Sequence, residues 1–381
     1  MRALILIACL ALSTDAVAAP QLEMVPGHGQ ATAKLVPLPV HVGGRALATR
    51  GDRGSTSWLQ GWPGGYYEAA YTGSDVVLRF ADDWNEYRLT IDGAAPIPIL
   101  RPGKAEARIT GIAAGPHRLR LERVTEGAPG TFGGFFVDRD AKPGTVAPRA
   151  RQIEFIGDSS MTGYGSRSPK RQCTPLEVDR LSDTQNAYPA LVAKHFDADY
   201  RVNAKSGIGL IRSYGGATDR TMTAMYPRTV RDNDVRTADP KWKPQLVVIR
   251  LVADFTGSIG PNEKWRDFGA LGRDYIAAMG SFAEQIARRY PRTSIAIWWL
   301  DFSGVQQPGF WRMMADGQAQ IRARALAAGA RQVEFPVESN AGLSFSACHN
   351  HMSVADHRLM TQRMIDFIAG HPGLLPMAGA R

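Results

Sequence analysis

Between about Gln21 and Val146 apolar and polar positions alternate with a period of two in short runs. Val76, Leu78 and Phe80 are interleaved with Val77 and Arg79, Tyr87, Leu89 and Ile91 with Arg88 and Thr90, and Leu119 and Leu121 with Arg118 and Arg120. Each run offers one face to a core and the other mostly to water. Turn signals separate the runs, notably Asp92-Gly93 after "YRLTI" and Pro116 before "HRLRL". No long segment with a period of 3.6 intervenes, so the pattern predicts a two-sheet antiparallel β-sandwich or jelly roll.

The stretch 141–150, "AKPGTVAPRA", reads as a linker, and beyond it the period changes. Apolar runs at 153–156, 200–203, 246–251, 294–298 and 333–335 predict strands. Helical spacing over 187–196, 268–289, 310–327 and 354–368 predicts helices between them, the last with Ser353 as N-cap. Strands alternating with helices imply an α/β domain with a doubly wound parallel sheet. The expected organisation is a leader at 1–18, a sandwich domain at 19–146 and an α/β domain at 147–381.

The leader is expected because "MRALILIACLALSTDAVAA" joins one positive charge to a short apolar run and a small-residue cleavage pattern ending at Ala18. A secreted or periplasmic protein follows from it, without a membrane span, since no segment approaches the length that spanning requires. The chain has 45 basic and 36 acidic residues, net +9. These charges are scattered without a dense basic run or nucleic-acid motif, so nucleic acid is not an expected partner. Cutting the leader leaves two cysteines, Cys173 and Cys348. In an oxidising compartment such a pair favours a disulfide over two separate thiols.

The candidate chemistry begins at "IEFIGDSSMTGYG", 153–165. A buried strand ends at Gly157, and Asp158, Ser159 and Ser160 begin a turn at the carboxyl end of the sheet, where open α/β folds bind ligands. Ser159 is the candidate nucleophile; the plainer alternative is that Asp158 and Ser159 only cap a helix. A serine hydroxyl needs a base, and "CHNHMSVADH" near the end of the chain supplies His349, His351 and His357. His351 falls on the loop ahead of the last helix, whereas His357 falls on the helix itself. The same histidines suggest a metal site, but no third or fourth ligand of suitable spacing completes one, so no metal is expected. Oxyanion donors are expected from the N–H of Ser159 and from that of Gly207 in "KSGIGL"; alternatively Gly207 and Gly209 only permit a turn.

These blocks together resemble the SGNH, or GDSL, hydrolases. They are most similar to the two-domain branch known as carbohydrate esterase family two, in which a jelly roll precedes the SGNH domain. The resemblance covers "GWPGGYYEAAYTG" and "EYRLTIDG" in the first domain, then "IEFIGDSSMTGYG", "NAYPALVAKHF", "SGIGL", "PQLVVIRLVADF" and "CHNHMSVADH". It implies a cofactor-free O-acetyl esterase acting on acetylated polysaccharide, with Ser159 as nucleophile and His351 as general base and then acid. Two departures matter. The wider superfamily has an Asp three residues before its His, where this chain has Cys348, so the resemblance implies a dyad with His351 oriented by a backbone carbonyl or another acid. Relatives carry a "GTND" block whose Asn donates to the oxyanion, where "RLVADF" has Ala253; either the enzyme is slow for want of that donor, or another group such as Asn203 or a shifted loop substitutes. Two rival readings remain at this stage, a sugar-binding protein with a degraded esterase domain and a GDSL lipase-like esterase. The lipase reading requires a long apolar groove. Trp265, Trp298, Trp299 and Trp311 are candidates for sugar faces or for core packing.

Overall fold

The computed structural model describes residues 19–29, 34–51, 54–237, 239–299, 307–337 and 339–376; the leader expected at 1–18 lies outside them. The first part of the chain forms two antiparallel sheets. One runs Gln21–Pro26, Gly103–Thr110, Val76–Asp82, Gly130–Val137, Thr56–Gln60 and Leu47–Arg50 in spatial order, with Val36–Pro37 also paired to Gly130–Val137. The other runs Lys142–Gly144, Tyr66–Gly73, Gly115–Arg123, Glu86–Ile91 and Ile97–Leu100, with His41–Gly43 also paired to Tyr66–Gly73. Leu78, Phe80, Leu89, Leu121, Phe132 and Phe135 close the core between them. Asp92 and Gly93, at φ 52° and 75°, turn the chain between Glu86–Ile91 and Ile97–Leu100 as the sequence predicts.

Two expectations need correction here. Val77 and Arg79, read as solvent-facing, are both buried. Arg79 is accommodated there 4.9 Å from the Phe136 ring centre, donating to Glu106 at 3.3 Å. The expected linker is also partly ordered sheet: Lys142–Gly144 is an edge strand paired with Tyr66–Gly73. Pro143 is tolerated there because an edge strand leaves one row of N–H positions unpaired.

The second part is a five-stranded parallel sheet in the order Ala198–Ala204, Arg151–Gly157, Leu246–Arg250, Ser294–Ile297 and Gln332–Glu334. Helices cover both faces. Phe268–Arg289 and Phe310–Ala327 pack over Ile156, Ile249 and Ile297, and Tyr188–His195 and Val354–Ala369 over Phe155, Val202 and Val248. Ser353 caps the last helix through a reciprocal pair with Asp356. In chain order the strands lie 2-1-3-4-5, so direction of winding reverses beside the first strand. Such a switch point, beyond the carboxyl ends of the strands, is where open α/β sheets bind ligands.

The polar face of the second antiparallel sheet, expected mostly to meet water, is turned onto the α/β domain. Arg120 donates to Glu68 at 2.7 Å and to the Tyr200 hydroxyl at 3.1 Å, and Arg149 bridges Glu68 and Asp199 at 2.7 and 3.1 Å. Asp199 also accepts from the Tyr66 hydroxyl at 2.6 Å and pairs with His41 at 2.9 Å. Deeper in, Glu154 of the strand Arg151–Gly157 is fully buried and accepts from Arg45 of the sandwich, Asn203 and the Trp242 indole at 2.9, 2.6 and 2.9 Å. A buried carboxylate needs such partners, and removing one leaves an uncompensated charge.

Burial alone would raise the Asp199 carboxyl, but hydrogen bonds from His41, Tyr66 and the Arg149 N–H outweigh it and bring the group to about 2. A depressed folded value means stabilisation that is complete above the unfolded value near 3.9 and is lost as pH falls toward 2. Asp199→Asn is therefore expected to cost about 2 kcal/mol at neutral pH, with the gap in thermal midpoint from the parent closing between about pH 4 and about pH 2. Thermal unfolding of both proteins across that range checks this, and a gap independent of pH would contradict it.

Candidate active site

The strand Arg151–Gly157 ends at a position where a Cβ would meet Met161 Sδ at 2.5 Å and the Arg250 carbonyl at 2.7 Å, so glycine is what lets the chain turn at once into the helix Ser159–Thr162. Asp158 caps that helix. Its Oδ1 accepts the Ser160 N–H and O–H at 3.0 and 2.9 Å, and its Oδ2 accepts the Val252 N–H at 2.8 Å. Arg250 lies behind this cap, 3.6 Å from Asp158 and donating to Ser160 Oγ. Capping thus falls to Asp158, while Ser159 Oγ sits 2.9 Å from His351 Nε2.

His351 stands on the turn ahead of the Val354–Ala369 helix. Its Nδ1 is 3.0 Å from the Cys348 carbonyl and 3.1 Å from that of His349. Two acceptors at Nδ1 place the ring proton there and leave Nε2 as the acceptor for the serine hydroxyl. Burial holds the imidazole below its ordinary value; the two carbonyls and the Asp158 charge pull the other way. Of the two orienting groups left open for a chain lacking the superfamily Asp, a backbone carbonyl or another acid, backbone carbonyls are the ones in contact with Nδ1 here.

The turn that presents these carbonyls is strained. His349 and Asn350 both have left-handed backbone, at φ 52° and 59°, which costs a residue with a side chain about 1 kcal/mol or more. Several contacts impose it. His349 donates its N–H to the Arg171 carbonyl at 2.7 Å, and its ring bridges the Tyr164 hydroxyl and the Cys173 carbonyl, each at 2.9 Å. A disulfide joins Cys173 to Cys348. Tyr164 then lies against the His351 ring, with centroids 4.2 Å apart. His357, by contrast, is buried in the last helix beside Tyr188 and is driven down to about 4 by burial; it takes no part in this cluster.

Gly207 adopts φ 76°, a conformation that favours glycine, and its carbonyl accepts the Tyr214 N–H at 2.8 Å. The preceding Ser206 Oγ is 3.1 Å from Thr162 Oγ1, which also donates to the Ser159 carbonyl at 3.2 Å. The Gly207 loop is thereby brought against the helix that carries Ser159. A cavity of about 270 Å³ opens on this loop, lined by Lys205, Ser206, Gly207, Ser213, Tyr214 and Arg220 among others.

Ala253 is buried at the start of a single 3-10 turn and has no donor in its side chain. Asn203 does not substitute for the missing amide, because its Nδ2 donates to Glu154 inside the sheet. Asp254 has a separate use: its carboxylate accepts the N–H groups of Leu210, Ile211 and Arg212 at 2.6, 2.8 and 2.9 Å, tying the end of the third strand to the loop after Gly207. Burial pushes this carboxyl up to about 6 against those bonds. Trp265, Trp298 and Trp299 are buried, and only Trp311 of that group is exposed. The sequence reading passed over Tyr164 and the role of His349, although the sequence places Tyr164 five residues after Ser159.

Residues 48–146 match the family model described as carbohydrate esterase 2 N-terminal. The chain is 37% identical over 342 residues to an acetylxylan esterase / glucomannan deacetylase of Cellvibrio japonicus, covering 89% of this chain and 92% of that protein. Among solved structures it is similar to a carbohydrate esterase whose active site is described as displaying divergent catalytic and non-catalytic binding functions, with TM-score 0.79, 37% identity, and 89% and 99% of the two chains covered. It is also similar to a family two enzyme of Corynascus thermopiles, with TM-score 0.68, 26% identity, and 87% and 99% covered. Identity of this level over nearly the full length of both proteins, joined to the sandwich, the 2-1-3-4-5 sheet and the serine–histidine pair, means that the chain belongs to carbohydrate esterase family two.

Proposed function

We propose that this esterase removes O-acetyl groups from plant polysaccharide, with acetylated xylan or glucomannan as its substrate class, through an acetyl-serine intermediate on Ser159. The observation that carries the reading is the 2.9 Å contact of Ser159 Oγ with His351 Nε2, an imidazole whose far nitrogen is already committed as a donor. The substrate class rests on the Cellvibrio relative. The disulfide supports an exported protein, and among the described residues no helix is long and apolar enough to cross a membrane. We place the boundary of the two domains at 146/147, after the last strand of the sandwich at Lys142–Gly144.

In the first half-reaction His351 Nε2 takes the Ser159 hydroxyl proton as Oγ bonds to the acetyl carbonyl carbon, and the carbonyl oxygen becomes an oxyanion. The N–H groups of Ser159 and Gly207 are the donors aimed at that charge. Collapse breaks the bond to the sugar oxygen, which receives the proton from Nε2. In the second half, water attacks the acetyl-serine, His351 accepts its proton, and acetate leaves as Ser159 is re-protonated. The imidazolium formed in each half is stabilised by the carbonyl dipoles of Cys348 and His349 in place of a carboxylate.

A second reading, sugar binding by a poorly catalytic site, is favoured by Ala253 and by the binding function described for the active site of the 37% identical structure. Acetate release from acetylated xylan and glucomannan separates the two. The parent should release acetate and Ser159→Ala should lose at least about a thousandfold in kcat, with unchanged thermal midpoint. Polysaccharide binding without acetate release would support the second reading instead.

His351 works as a base only when neutral, so activity should fall as pH drops through its pKa. Burial sets that value below the ordinary value of about 6.5. The kcat/KM profile on an aryl acetate is therefore expected to have an acid limb with its midpoint below about 6.5 and a plateau above it; a midpoint above about 7 would contradict a buried, carbonyl-held imidazole.

A further inference from the structure

We infer that Glu126 of the sandwich domain is a positioning residue for the oxyanion loop, so that the first domain completes the catalytic site of the second. This rests on the assignment of Gly207 as an oxyanion donor. Glu126 lies in the turn between the strands Gly115–Arg123 and Gly130–Val137 and reaches across the domain boundary. Its Oε1 accepts the Ser206 N–H at 2.9 Å, and its Oε2 accepts the Ser206 O–H. Both donors of the residue immediately before Gly207 are therefore held by one carboxylate.

The consequence for chemistry runs through the peptide between Ser206 and Gly207, since the Gly207 N–H belongs to it. Glu126 fixes that peptide from the Ser206 side, and the Tyr214 N–H fixes Gly207 from its carbonyl side at 2.8 Å. Between them the peptides on both sides of that amide are held, which restricts its rotation to a coupled change in Ser206 ψ and Gly207 φ, despite the wide freedom of a glycine at φ 76°. The carboxylate has a second effect. With the Ser206 proton committed to Glu126, the Ser206 oxygen is an acceptor for the single Thr162 hydroxyl proton at 3.1 Å, in competition with the Ser159 carbonyl at 3.2 Å. The nucleophile helix and the oxyanion loop are thus registered against each other by one chain of polar groups that ends on Glu126.

The turn carrying Glu126 is itself rigid. Buried Arg123 donates from Nη2 to the carbonyls of Glu126, Gly127 and Ala128 at 3.1, 3.2 and 2.9 Å. Arg231, from the α/β domain, donates to the Gly127 carbonyl at 2.9 Å and lies 3.4 Å from Glu126 Oε1. Val124 in the same turn accepts the Thr184 N–H of the α/β domain at 2.8 Å. A carboxylate held this way acts as a fixed post against which the loop is set, and preorganised donors are what an oxyanion requires.

The test compares Glu126→Ala, Glu126→Gln and Ser206→Ala with the parent and with Ser159→Ala on an aryl acetate. Loss of one oxyanion donor costs on the order of a hundredfold to a thousandfold, so a misaligned one in Glu126→Ala should lower kcat by about tenfold to a hundredfold while KM changes by less than about threefold. Glu126→Gln keeps one acceptor and should recover part of that loss. Glu126→Ala combined with Ser206→Ala should cost less than the product of the two single losses, because both remove the same link. A Glu126→Ala enzyme within about twofold of the parent in kcat, beside an inactive Ser159→Ala, overturns the positioning role and leaves the nucleophile standing. An active Ser159→Ala overturns the reading on which the role rests. If Glu126→Ala does not fold, Glu126→Gln and Ser206→Ala decide: parental kcat in both overturns the proposal, and a fall in kcat at constant KM in either supports it.

Discussion

The hydrogen bond between Ser159 Oγ and His351 Nε2 joins side chains 192 residues apart in sequence, and most of what surrounds it serves to hold both ends still. At the serine end, Gly157 permits the abrupt turn, Asp158 caps the helix and reaches across to Val252, and Arg250 lies behind the cap. At the histidine end, two left-handed residues aim a pair of carbonyls at Nδ1, and the disulfide, Tyr164 and the Arg171 carbonyl keep them there. A carboxylate orienting a histidine needs one side chain in one rotamer. Orientation by main chain needs a backbone held in an unfavourable conformation, which explains why so many contacts converge on so short a turn.

Buried and half-buried ion pairs join the two domains. Across the boundary Glu68 faces Arg149, Asp199 faces His41 and Glu154 faces Arg45. Geometry of this kind fixes the relative placement of the domains, because each buried charge is satisfied in only one docking pose. It also gives meaning to the turn around Glu126, which reaches Ser206 and the Gly207 loop only if the sandwich sits in that pose.

Much of this was legible in the residues. The helices Phe268–Arg289 and Phe310–Ala327 begin and end where the apolar spacing puts them, and the capped helix Val354–Ala369 follows from Ser353 and its apolar positions. Ser159 and His351 could be paired as candidates because strand-end serines and loop histidines have local signatures, and the structure brings them to 2.9 Å. What was not legible depends on partners distant in sequence. Arg79 and Arg120 read as solvent-facing since period-two alternation separates two faces without saying what covers the polar one. Pro143 suggested a linker because its edge strand is defined only by pairing with Tyr66–Gly73. The orientation of His351 by carbonyls lies in backbone angles, which residue types do not record.

The central claim is that a serine–histidine pair without an orienting carboxylate side chain carries a covalent acetyl group. Rapid acid quenching of the enzyme during turnover of an acetyl ester, followed by peptide mass spectrometry, tests it directly. The account predicts the mass of one acetyl group on the peptide containing Ser159, absent from enzyme denatured before substrate is added. An acetyl group on any other residue under the same conditions, or none on Ser159 when hydrolysis of the acyl-enzyme is made rate-limiting, would contradict it.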